Sequence, residues 1–142
     1  MPKEDTVEVV QVREAQRQHA KRATLDQMLG KKRAEREVTF QMPGSGDEIS
    51  FAFRAIGAKE YDQLVSKHPP TPEGRAEGSS FNIHTFAPAL LSRVVTDPDF
   101  TVGDWEKIWN SPDWNRGEVM QFFSIAVELC STGMSIPFSG RD

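Results

Sequence analysis

Hydrophobic and polar positions divide this chain into stretches that follow different periodicities. In residues 38–54, Val38, Phe40 and Met42 alternate with Thr39 and Gln41, and Ile49, Phe51 and Phe53 alternate with Ser50, Ala52 and Arg54. A period of two puts one set of side chains on one face of a strand, and the intervening Pro43-Gly44-Ser45-Gly46-Asp47 cluster marks a turn. The pattern predicts a β-hairpin with one large apolar face. Such a hairpin needs a cover, because two strands alone are marginal in water. The next segment, Ala58 to Lys67, sets Tyr61, Leu64 and Val65 on one helical face and is the expected cover.

Residues 68–80 lose all periodicity. Pro69, Pro70 and Pro72 stop the preceding helix, and with Gly78-Ser79-Ser80 they predict an exposed, mobile loop. Residues 81–131 are helical and aromatic. Pro88 fits near the start of a helix through Leu90, Leu91, Val94 and Val95, which Asp97-Pro98-Asp99 ends. Thr101 and Asp104 have the spacing of an N-terminal cap before a short helix carrying Trp105, Ile108 and Trp109. Ser111-Pro112 then predicts a new helix start. Val119, Phe122, Phe123, Ala126, Val127 and Cys130 follow with the strongest amphipathic spacing in the chain, and Gly133 is the expected stop.

The ends are polar. Residues 1–37 hold two apolar groups, Val7, Val9, Val10 and Val12, and then Leu25, Met28 and Leu29. The second group shares a helical face, Thr24 and Gln27 have capping-box spacing, and Gly30 weakens or ends the helix. So short a helix is marginal alone, and its three apolar side chains must dock on the body or serve a partner. The expected architecture is therefore α+β and mainly helical: one β-hairpin packed against three to five helices, with an extended polar N-terminal arm. Its parts are an arm over 1–37 with a short helix near 25–34, a globular domain over 38–131, and a loose tail over 132–142.

Composition adds limits. A chain of 142 residues can bury a core without disulfides or a structural metal, but its 37% hydrophobic content leaves part of it outside that core. The single cysteine, Cys130, excludes an intrachain disulfide and fits a reducing cytoplasm. No apolar run approaches the roughly 18–20 residues that span a bilayer, and Met1-Pro2-Lys3-Glu4-Asp5 lacks the pattern of a secretory signal. The expectation is a cytoplasmic protein without membrane contact. The net charge of −4 is uneven, since nine Lys/Arg against seven Asp/Glu give residues 1–37 a net +2. A basic arm on an acidic body would suit nucleic acid or an acidic partner, and a solvated helical arm is the plainer reading.

Candidate chemistry is sparse. His19, His68 and His84 fall in separate stretches without ligand spacing, and no zinc or calcium motif is present, so no metal or cofactor is expected. Ser79 and Ser80 lie near His84, but no strand–turn–helix elbow surrounds them. Asp97, Asp99, Asp104 and Glu106 cluster at a helix junction, where acidic residues favour helix N-termini. Gly44-Ser45-Gly46 lacks the lysine and following helix of a phosphate loop and reads as a turn. The aromatic run remains. Trp105, Trp109, Trp114, Phe122 and Phe123 either staple two helices together or offer anchors to a protein partner, because aromatic residues dominate binding hot spots. With Leu25, Met28 and Leu29, they are the candidate partner-binding residues. No catalytic residue is assigned.

The order of short motifs resembles a known family. Leu25-Asp26-Gln27-Met28-Leu29-Gly30-Lys31-Lys32 precedes the strand pair and Lys59-Glu60-Tyr61-Asp62-Gln63-Leu64-Val65. His68-Pro69-Pro70-Thr71, Phe86-Ala87-Pro88-Ala89-Leu90-Leu91 and Asp104-Trp105-Glu106-Lys107-Ile108-Trp109 follow. Over about residues 24–140 this is similar to the tail assembly chaperones of long-tailed bacteriophages and prophages, particularly those of actinobacteria. The resemblance implies a non-enzymatic protein that binds the aggregation-prone tape measure protein, recruits tail tube protein, and is absent from the finished virion. Self-association is left open. Family members are commonly made in two lengths by programmed frameshifting, and this chain looks like the shorter form. A slippery codon pair often reads Gly-Lys, whereas the tail here reads Ser139-Gly140-Arg141-Asp142, so the protein sequence does not itself reveal a frameshift. The alternative function is a small nucleic-acid-associated regulator acting through its basic arm.

Overall fold

The computed structural model describes residues 20–137. The Val7–Val12 group and the last five residues of the expected tail lie outside them. The chain divides into two units, Arg33–Thr132 and the flanking segments Met1–Lys32 and Gly133–Asp142. In the flanking unit, helix α1 spans Leu25–Leu29. Thr24 Oγ1 accepts the Gln27 N–H at 3.1 Å and Gln27 Oε1 accepts the Thr24 N–H at 3.0 Å, which completes the capping box read from the sequence. The expected helix near 25–34 is shorter than its range because Gly30 closes it, donating its N–H to Asp26 O.

In the main unit the hairpin forms from β1 (Glu35–Gln41) and β2 (Glu48–Arg54), with Val38 opposite Phe51 and Phe40 opposite Ile49. Gly44 and Gly46 hold φ of 90° and 77° in the turn, a conformation that side chains with a Cβ resist. β1 starts before the expected residue 38. Backbone pairing enlists Glu35, Arg36 and Glu37 opposite Arg54, Phe53 and Ala52, and a 3.1 Å ion pair joins Glu35 to Arg54. A third strand, β3 (Val95–Asp97), joins antiparallel on the other side of β2, giving the order β1-β2-β3. The expected hairpin is thus two strands of a three-stranded sheet.

Four substantial helices complete the unit: α2 (Ala58–Ser66), α4 (Ile83–Val94), α5 (Val102–Trp109) and α6 (Arg116–Ser131). The short α3 (Pro72–Ala76) lies inside the stretch expected as a loop. Thr71 Oγ1 caps it through the Gly74 N–H and Pro72 takes the first turn, where its missing N–H costs nothing. α4 is the hub, touching α2, α5, α6 and β3. Its Phe86, Leu90, Leu91 and Val94 are fully buried, each contributing about 1.5–3 kcal/mol relative to exposure. Pro88 sits inside α4, not near its start, and cannot donate to His84 O.

The cover of the hairpin differs from the expectation. α2 packs on α4, with Tyr61 edge-on to Phe86 at 5.8 Å. The sheet's apolar face is covered instead by α6 and α5. Phe122 meets Phe40 at 4.8 Å and Phe51 at 5.1 Å, and Trp105 meets Phe51 at 6.0 Å. α6 also begins later than Ser111-Pro112. Those residues make a turn, in which Ser111 Oγ accepts the Asp113 N–H, and Asn115 is the true cap, reciprocated by Glu118.

Candidate functional site

The eight candidate residues separate into three environments. Leu25, Met28 and Leu29 are 72%, 59% and 75% exposed on α1. Trp105, Phe122 and Phe123 are buried in the core. Trp105 packs against Phe100 at 5.4 Å and Phe122 at 5.5 Å, while Phe123 stands edge-on to Phe86 at 5.9 Å. As folded, Trp105 and Phe122 staple helices to the sheet, Phe123 joins α6 to α4, and the three offer a partner almost no surface. The aromatic surface expected over Trp105–Phe123 is corrected to its two half-buried members, Trp109 and Trp114.

Those two face different places. Trp109 donates its Nε1–H to His84 Nδ1 at 3.3 Å, tying the end of α5 to the start of α4. Trp114 tilts over Phe122 at 6.0 Å and walls an open cleft of about 510 Å³. The hairpin tip supplies Met42 and Ile49 to this cleft. Phe51 forms part of its floor, Pro98 and Phe100 come from the segment after β3, and Ile108 comes from α5. Sequence reading missed most of these residues. Met42 and Ile49 lie on the hairpin's apolar face beside the turn, and the Phe122 and Trp105 rings fill the space beneath only in part.

Among the described residues, three titratable groups are shifted by their surroundings. Thr101 holds the Asp104 carboxyl below its ordinary value of 3.8, first through its backbone N–H and then through its side chain. Burial raises the Tyr61 hydroxyl, with the nearby Cys130 and Asp62 adding to the effect. Burial likewise raises the Cys130 thiol, opposed by a hydrogen bond from the Ile56 backbone. His68 Nδ1 lies 2.9 Å from Thr85 Oγ1. Among the described residues, no group of three or more His, Cys, Asp and Glu is placed to hold a metal ion.

Of the arm's basic residues, Lys3, Arg13 and Arg17 lie outside the described residues. Lys21, Arg22, Lys31, Lys32, Arg33 and Arg36 are exposed. Arg36 reaches Glu128 of α6 at 3.4 Å. No helix among the described residues is long and apolar enough to cross a membrane. The arrangement suits capture of apolar side chains: a hydrophobic cleft with one half-buried tryptophan, and a separate helix presenting three exposed apolar residues. Comparison with protein-family models, curated proteins and solved structures gave no match to this chain.

Proposed function

We propose that this protein is a tail assembly chaperone of a long-tailed bacteriophage. In this reading it acts without catalysis in the host cytoplasm, binds the tape measure protein, and helps recruit tail tube subunits. The single observation that carries the reading is the cleft beside Trp114, an open hollow of about 510 Å³ with mostly apolar walls. A long helical client kept soluble before assembly needs its apolar stripe covered, and such stripes enter hydrophobic grooves through anchors at i, i+3, i+4 and i+7. The ordered motifs between residues 24 and 140 support the same reading.

The experiment is co-expression with a tape measure protein of a long-tailed phage, the long helical client that this reading names. The client is expected to stay soluble and co-purify with the wild-type chain, and to lose both properties with Ile108→Ser/Trp114→Ser. If the client aggregates equally with and without the wild-type chain, the reading fails.

A further inference from the structure

A second surface, away from that cleft, has a different character. β1 is an edge strand: β2 pairs one side of it, and no strand among the described residues pairs the other. The ladder fixes which backbone groups face outward. Ala55 donates to Ala34 O and Met42 donates to Asp47 O, so the even-numbered residues of β1 bond to β2. The N–H and C=O groups of Glu35, Glu37, Thr39 and Gln41 therefore point away from the sheet. Four donors and four acceptors lie in a row at strand spacing.

Beside this edge, on the core-facing side of β1, lies a hollow of about 580 Å³ between the strand and α6. Val38 and Phe40 border it from the sheet, Met120 and Ile125 border it from the helix, and Arg36 and Glu128 meet across it. The opposite face of the strand pair is acidic. Glu35, Glu37 and Glu48 share that face with Arg54, which is already bonded to Glu35.

We propose that the outer edge of β1 binds an extended, cationic peptide segment of a partner protein as a fourth, antiparallel strand. The pleat dictates the pattern of that segment. Its residues opposite Glu35 and Glu37 exchange backbone hydrogen bonds with them and carry Lys or Arg on the acidic face. The alternate residues, beside Arg36, Val38 and Phe40, carry apolar side chains into the hollow against Met120 and Ile125. Backbone bonding supplies affinity, and the hollow and the glutamates supply selectivity. A helix would leave the eight outward backbone groups unused. A second copy of this chain would add no positive charge opposite Glu37, since β1 carries only Arg36, on its other face. This site is independent of the chaperone reading and is tested separately.

The probe is a capped, fluorescein-labelled peptide of alternating Val and Lys, titrated into the full chain by anisotropy. It is expected to bind, while the same peptide with Glu for Lys does not. N-methylation of the Lys nitrogens, which face β1, is expected to weaken binding about tenfold or more; methylation of the Val nitrogens, which face solvent, leaves it intact. Glu35→Lys/Glu37→Lys is expected to reverse the charge preference, with only a small drop in thermal unfolding temperature from the lost exposed Glu35–Arg54 pair. Amide exchange at Glu37 and Thr39 slows when the peptide is bound. Equal effects of the two methylation patterns, absence of binding, or binding unaltered by the charge reversal would each overturn the proposal. So would an edge already occupied by a second copy, seen as a dimer that Thr39→Pro dissociates.

Discussion

Helices α1 and α5 begin in the same way and end in opposite circumstances. Each follows a threonine N-cap in a complete capping box, Thr24 with Gln27 and Thr101 with Asp104. Each carries large apolar residues at helical spacing. Yet α1 buries none of its residues, while α5 buries Trp105 to 2% exposure. The cap determines where a helix starts; the neighbours determine what it is worth. Phe51, Phe100 and Phe122 surround Trp105, and nothing comparable among the described residues encloses Leu25, Met28 or Leu29.

The largest expected effect tests that contrast directly. Trp105→Ala is expected to destabilise the protein by about 3–5 kcal/mol, because it removes a buried ring and leaves a cavity among three others. Leu25→Ala, Met28→Ala and Leu29→Ala are each expected to stay within about 0.5 kcal/mol of wild type. Urea unfolding followed by circular dichroism measures both. Trp105→Phe sharpens the point. The Trp105 Nε1–H is buried without an acceptor among the described residues, and an unpaired buried donor costs about 1–3 kcal/mol. Phenylalanine removes that donor while keeping a ring, so its cost is expected to be well below that of alanine. A loss as large as that of alanine would show that ring size alone anchors the site.

A smaller effect separates the caps from the packing. Thr101→Ala is expected to lower global stability by about 1 kcal/mol, because α5 belongs to the cooperative core. The same change at Thr24 removes the same bonds from a helix with no buried residue. It is expected to fray α1, seen as faster amide exchange at Gln27 and Met28, without moving the urea midpoint. Matching shifts in the midpoint would show that α1 contributes to the core's stability.

The same distinction explains what the sequence revealed. The hairpin, the two capping boxes and the apolar face of α6 were legible because each depends on residues within one or two turns of one another. The cover of the hairpin was not. Tyr61, Leu64 and Val65 announce an apolar face on α2, but no local rule says that it meets α4 and that Phe122 meets the sheet. β3 escaped notice because three residues carry no period, and their strand character comes from pairing with Ala52 and Phe53. Ser111 and Asn115 both have cap chemistry, and only the turn between them places the start of α6 at the second. Of the candidate site, Trp114 was legible, but the cleft around it was not. Its other walls come from the hairpin tip, the segment after β3 and α5, which fold together only in three dimensions. The edge position of β1 among the described strands was hidden for a similar reason: an alternating sequence does not tell an edge strand from a central one.

The smallest effect distinguishes the two boxes by proton. Gln27 cannot titrate, whereas Asp104 can, and hydrogen bonding to Thr101 lowers its pKa in the folded state from the ordinary 3.8. A carboxylate favoured by folding stabilises the protein above its unfolded pKa, and that contribution is lost as pH falls through the lowered folded value. Acidification below 3.8 is therefore expected to open the box on α5 and leave the one on α1 closed. Nuclear magnetic resonance would follow the Thr101 and Thr24 amides from about pH 6 down to about pH 2, across the carboxylate range. The Thr101 amide should shift with a midpoint below 3.8, and that transition should vanish in Asp104→Asn. The Thr24 amide should show no transition with that midpoint. A Thr101 midpoint at or above 3.8 would mean that the bond to Asp104 is too weak in solution to favour the ionised carboxyl.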